Sequence, residues 1–238
     1  HDVRARLKER LTRRWGKDKN RPEGWHLLSG DAKKALRFFP AKQPLLFASG
    51  ARCYAELTIG VSLTDFPKVS PGIRIFVKPV PSELDNTVLI DLKRKLFTSQ
   101  RGDFPPIEKM LAGSIGYFGM GIHKVKGERK PTAVIWIRQQ RVLPDFPNSI
   151  RKRYGMWDIE LLRYVEAKLK EAGVKRLAVV TPEYYSPEHY PRCKRTAYRE
   201  YVIFNERLKR LGYQPEHLYL SDLKGYYCYH PFLVKVLK

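Results

Sequence analysis

The stretch from Val134 to Thr181 constrains the fold most. It reads as an apolar strand, Val134-Ile135-Trp136-Ile137, then a basic loop ending Arg151-Lys152-Arg153-Tyr154-Gly155. An amphipathic helix follows, and then a second apolar strand, Leu177-Ala178-Val179-Val180. Strand, loop, helix and strand in this order form an α/β unit. The loop opens directly onto the first turn of the helix. A helix N-terminus presents unpaired backbone N–H groups and about half a positive charge, so the arrangement suits a phosphate-bearing ligand. Arg151, Lys152, Arg153 and the Gly155 amide are the residues expected to hold that phosphate.

Charge supports a polyanionic partner. Lys and Arg number 46 against 24 Asp and Glu, a formal net charge of +22 spread along the whole chain. Such a field attracts nucleic acid, DNA or RNA, the commonest polyanion in a cell. The 43% apolar content is ordinary for a globular protein. Cys53, Cys193 and Cys228 are far apart and include no CxxC pair. Neither a zinc site nor a disulfide framework is indicated, and a reducing, cytoplasmic compartment is expected. No metal-ligand spacing occurs among the histidines, and no run of about 18 apolar residues would span a membrane. The chain opens His1-Asp2-Val3-Arg4 without an initiator Met, and a processed or trimmed N-terminus is expected.

Residues 1–105 are expected to form a basic, β-rich N-terminal region. Val3, Leu7, Leu11 and Trp15 recur at helical spacing, with Arg10, Arg13 and Arg14 among the cations around them, so a helix that touches phosphate backbone is expected. Leu45–Phe47, Tyr54–Leu63 and Ile73–Val77 read as strands, as does Thr87–Leu92, and Ala32–Phe39 as a short helix. Residues 106–238 are expected to form an α/β domain. Its strands are Ser114–Lys124, Ala133–Arg141, Val174–Thr181, His217–Leu220 and Tyr226–Leu237. Its helices are Trp157–Ala172 and Thr196–Leu211, stopped by Gly173 and Gly212. The fold class is therefore α/β, a mixed sheet flanked by helices. The loop around Tyr185 and His189, through Arg192, Lys194 and Arg195, interleaves aromatics with cations, a pattern that stacks bases and pairs phosphates.

Four echoes carry a family resemblance: Gly116-Tyr117-Phe118-Gly119, then Arg141-Val142-Leu143-Pro144, then Gly173-Val174-Lys175-Arg176-Leu177-Ala178-Val179-Val180-Thr181, and Arg210-Leu211-Gly212-Tyr213. Together with the element order of residues 114–220 they resemble the GNAT superfamily of N-acetyltransferases. The resemblance implies an acetyl-CoA or related acyl-CoA donor, with its pyrophosphate on the helix start and its arm between two diverging strands. It puts the backbone of Leu143 where the thioester carbonyl is polarised, an oxyanion-hole device. Tyr185, His189 and Tyr201 become candidates for proton transfer. The chain departs from the family pattern at Asp158, where a small residue is usual, and at Leu208, where a tyrosine is frequent. The implied function is a divergent GNAT-like acyl- or group-transferase acting on a nucleic acid or nucleoprotein. The alternative is a non-catalytic nucleic-acid-binding subunit. Two weaker echoes are Asp91-Leu92-Lys93, in the form of a PD-(D/E)xK nuclease strand, and Leu111–Gly119, which resembles a LAGLIDADG helix with Gly116 and Phe118 at the acidic positions.

Overall fold

The structure, a computed structural model, describes residues 21–22, 24–60, 72–84, 113–140, 147–185, 195–221 and 227–238. Eight strands form one mixed sheet: β1 (Lys42–Leu46), β2 (Arg52–Gly60), β3 (Gly72–Pro79), β4 (Gly116–His123), β5 (Thr132–Gln140), β6 (Arg176–Val180), β7 (Gln214–Ser221) and β8 (Tyr227–Val236). They lie in the order β1-β2-β3-β4-β5-β6-β8-β7. Every neighbouring pair is antiparallel except β5 and β6. The fold is thus α/β, as the alternation of strand and helix patterns implies. The division expected near residue 105 does not interrupt the sheet, because β3 pairs with β4 from Ile73↔Met120 to Val77↔Gly116.

Local sequence explains the elements. Strand β2 alternates: Cys53, Ala55, Leu57 and Ile59 are buried, while Tyr54, Glu56 and Thr58 are half-buried. Strands β5 and β6 are apolar without alternation, as befits strands covered on both faces. Helix α1 (Gly30–Leu36) starts at Ser29, whose hydroxyl accepts from the Ala32 N–H at 3.1 Å. Helix α2 is Asn148–Tyr154, α3 is Trp157–Glu171 and α4 is Arg195–Arg210. Helix α3 buries Leu161, Leu162, Val165 and Leu169, each worth about 1.5–3 kcal/mol when fully withdrawn from water. It ends at Gly173, φ 75°, where the Val174 N–H reaches the Leu169 carbonyl and the Gly173 N–H reaches Lys170. Helix α4 ends the same way at Gly212, φ 86°, with Tyr213 bonded to Leu208 and Gly212 to Lys209.

The basic segment 148–154 is a correction. It was expected as a loop and is a helix. Pro147 precedes it, Ile150 and Tyr154 lie one turn apart on its inward side, and Arg and Lys are good helix formers. The outermost strands, β1 and β7, each contain a proline, Pro44 opposite Tyr54 and Pro215 opposite Leu233. The expected helix at residues 1–20 and strand at Thr87–Leu92, with Asp91 and Lys93, lie outside the described residues. Of the LAGLIDADG-like segment, Gly116–Gly119 belong to β4 and not to a helix. No helix among the described residues is long and apolar enough to cross a membrane.

Candidate functional site

The sheet opens at one place. Strand β5 pairs with β6 only at Ala133↔Leu177, Val134↔Ala178 and Ile135↔Val179. Beyond these positions Val180 continues to pair with Phe232 of β8, whereas β5 continues to pair with β4 alone. The two parallel strands part, and the rest of β5 offers backbone groups that no β6 strand meets.

A bulge in β5 begins at the same point. Gly119 faces Ile137 and Met120 faces Ile135, so Trp136 has no opposite residue. Trp136 and Ile137 consequently both pack with Val134, Ala178, Val180 and Phe232 on one face of the sheet. The extra residue reverses the alternation, as bulges do. Arg138 thereby joins the face that carries Ile135, beside α3, rather than the face that carries Val134.

Arg138 is buried there and fully engaged. Its Nε donates to Asp158 Oδ2 at 2.9 Å, and its Nη2 lies 2.8 Å from the same oxygen. Its guanidinium also meets Glu200 Oε2 at 3.3 Å and Gln140 Oε1 at 3.2 Å. It lies 5.4 Å from the Trp157 ring and 5.2 Å from the Phe204 ring, within cation–π range. Asp158, in the first turn of α3, is fully buried. Its second oxygen accepts from the Ile159 N–H at 2.9 Å and from Arg207 Nη1 at 3.4 Å. One carboxylate in the first turn of α3 therefore joins two arginines.

The gap between β5 and β6 is filled by α4. Tyr201 Oη accepts from the Arg138 backbone N–H at 2.9 Å. A strand N–H lies in the plane of its sheet, so this hydroxyl sits where a neighbouring strand would be. Tyr201 packs with the Trp136 cluster on one side, while Phe204 joins the cluster of Phe118 and Trp157 on the other. A single helix reaches both clusters because the sheet is open between them. Asn205, also buried, donates to the Val180 carbonyl at 3.4 Å. Its Oδ1, like the adjacent Thr181 Oγ1, is buried without a hydrogen-bond partner.

Two of the residues expected to hold a phosphate, Arg151 and Arg153, have partners within the chain. Arg153 Nη2 donates to Glu83 Oε2 at 2.9 Å, and the Arg153 carbonyl accepts from Ser49 Oγ at 2.7 Å. Glu83 is also held by the Arg52 backbone N–H at 2.8 Å and by the Arg52 side chain. Arg52, first by its hydrogen bonds, and then Arg153 keep the Glu83 carboxyl below its ordinary range. Arg151 bonds Asn148 on its own helix, and Lys152 is exposed. Gly155 ends α2 so tightly that a Cβ would lie 2.5 Å from the Arg151 carbonyl oxygen. Gly155 and Met156, both exposed, link the end of α2 to the start of α3.

Of the other expected site residues, Leu143, His189, Arg10, Arg13, Arg14, Arg192 and Lys194 lie outside the described residues. Tyr185 closes a 3-10 turn after β6, and Arg195 begins α4. Leu208 is fully buried core. Sequence reasoning missed Arg138, Glu200 and Arg207. A buried thiol, Cys53, is pushed up to about 12, chiefly by burial, and stays protonated. No group of three His, Cys, Asp or Glu among the described residues could hold a metal ion.

Two features of the structure bear on the acyl-CoA donor that the resemblance implies. Its pyrophosphate would meet the buried Asp158 carboxylate at the start of α3, and its extended arm would meet Tyr201 and Phe204 in the gap. Comparison with known proteins adds little. No family model matches the chain. A 64-residue segment is 39% identical to a purine nucleoside phosphorylase of Rickettsia prowazekii (strain Madrid E), covering 26% of this chain and 25% of that protein. The match thus spans about a quarter of each.

Proposed function

We propose that this chain is a GNAT-like protein that binds nucleic acid, and that it serves as a non-catalytic subunit with respect to acyl-CoA. The GNAT-like part is supported by the strand order, with one parallel pair, β5 and β6, that parts after three positions and is bridged by α3. The net charge of +22 points to a nucleic acid or nucleoprotein as the partner, in an intracellular, cytoplasmic setting. The observation that carries the non-catalytic reading is the occupied gap: Tyr201 takes the Arg138 N–H that a bound arm would need.

The test combines two titrations. Affinity for a short DNA or RNA duplex, followed by fluorescence anisotropy, should fall steeply as salt rises, with one unit of slope for roughly each phosphate contact. Acetyl-CoA should leave the melting temperature unmoved. A duplex that fails to bind at low salt, or a clear rise in melting temperature with acetyl-CoA, refutes the proposal.

A second reading has its own support. The unpartnered Thr181 Oγ1 and Asn205 Oδ1 at the end of β6 are polar atoms whose hydrogen-bonding needs are unmet. A group-transferase whose donor lies between β5 and β6 after α4 has moved would satisfy them. In that case acetyl-CoA or another acyl donor would stabilise the protein, and Asn205→Leu would abolish the stabilisation.

A further inference from the structure

We infer that the face built by the 3-10 turn Trp25–Leu27 and helix α1 docks single-stranded nucleic acid, stacking unpaired bases on its aromatic rings and pairing phosphates with its cations. The inference rests on the nucleic-acid reading above and deepens it, because it names the surface and the form of strand that this surface takes.

Residues 21–38 carry four cations, Arg21, Lys33, Lys34 and Arg37, against Glu23 and Asp31. The fold gathers the cations around two rings. The Arg21 guanidinium lies 4.4 Å from the centre of the Trp25 ring, and that of Arg37 lies 4.7 Å from the Phe38 ring. The two stacks are joined, because Arg21 Nη1 donates to the Arg37 carbonyl at 2.7 Å. Lys34 stands one turn before Arg37 and is exposed like it, and Lys33 Nζ donates to the His26 carbonyl at 3.4 Å. Phe38 keeps 41% of its surface open even with a guanidinium on its ring. A base laid on that surface would withdraw it from water, while the neighbouring cations reach the flanking phosphates. A single strand offers a π-face at every base, whereas a duplex keeps those faces inside its own stack. The mounting is firm. Gly24, φ 85°, lies so close to β2 that a Cβ would fall 2.5 Å from the Ile59 carbonyl oxygen. Helix α1 buries Ala32, Ala35 and Leu36, and Phe39 meets the Tyr164 ring of α3 edge-on at 5.8 Å. The inward side of the segment is therefore core and the outward side cationic and aromatic, so little ordering remains to be done on binding.

The experiment is fluorescence anisotropy on the full chain, with a labelled oligo(dT) strand and with a duplex of matched length, each over a range of salt. The unaltered protein should bind the single strand at low salt. Phe38→Ala should weaken that binding about tenfold and leave its salt slope unchanged, because a stacked base is lost and no charge. Lys34→Gln and Arg37→Gln should each lower the slope by about 0.7. Ile203→Ala removes a comparably exposed side chain from α4 and should change nothing. Polyphosphate, which has the charge without the bases, should bind the unaltered and the Phe38→Ala proteins alike. Single-strand affinity that ignores Phe38→Ala, or that falls as far with Ile203→Ala, overturns the inference, and the nucleic-acid reading then stands so long as the duplex binds. Single-strand binding that depends on Phe38 in a protein that takes no duplex supports the inference and sinks the duplex-binding reading. Binding of neither overturns both.

Discussion

Two carboxylates among the described residues each join two arginines, and the arginines differ in their access to water. Glu83, its side chain 7% exposed, links Arg52 and Arg153, whose own side chains are 62% and 38% exposed, and so ties the end of α2 to the β1–β2 turn and to the segment after β3. Asp158 links Arg138 and Arg207 between α3, β5 and α4, with its own side chain and that of Arg138 withdrawn from water. At the surface, water and salt can replace a lost partner, so each contact contributes little. In the interior nothing replaces it, and the survivor is stranded in a medium of low polarity. The same valence therefore yields a fastener in one place and an obligatory core element in the other.

The largest test of that contrast is Arg138→Ala. It should cost about 3–5 kcal/mol in urea denaturation, because Asp158 is left charged and buried. A loss below about 1 kcal/mol would mean that the two clusters are energetically alike. Replacing both partners, Arg138→Met with Asp158→Leu, should recover most of the loss. Next comes Gly116→Ala. An added Cβ would lie 2.4 to 2.6 Å from the Trp157 ring that packs beside the Arg138 guanidinium, so a loss of about 1–3 kcal/mol and a shifted tryptophan emission are expected. Tyr201→Phe removes the acceptor of the Arg138 N–H and should cost about 1 kcal/mol or somewhat more, with no salt dependence.

The smallest effect belongs to the surface cluster. Glu83→Gln should cost less than about 1 kcal/mol and disappear in high salt. It carries a pH signature. The folded-state value of Glu83 lies below the unfolded one, so its stabilisation is present above the ordinary glutamate range, about 4.3, and is lost as the pH falls through the lower folded value. The Gln variant should therefore show a flatter acid limb in a plot of stability against pH.

Much of the fold was legible because its signals are local. The stripe Leu161, Leu162, Val165 and Leu169 with Gly173 behind it specifies α3, and the meander of β2 and β3 follows from period-two alternation and its bounding glycines and prolines. Helix α2 was not legible as such, since its cations drew attention to charge while Ile150 and Tyr154 supplied a short inward stripe. The partnership of Arg138 with Asp158 was hidden more deeply. Counting by twos along β5 puts Arg138 on the face of Val134, and only the unpaired Trp136 moves it across. Arg207 joins from a helix 49 residues further on. Nothing in single-chain periodicity reports a bulge or a contact of that range.

The prolines that terminate the sheet have a consequence for life at high concentration. An open β-sheet ordinarily exposes a comb of amide donors at each margin, ready to recruit a neighbour's backbone. Pro44 and Pro215 each remove a tooth from that comb, one on either flank. Each edge is thereby a poorer template for a neighbour's backbone, and replacing either proline with a β-branched residue is expected to raise the tendency to self-assemble, measured by light scattering at high concentration.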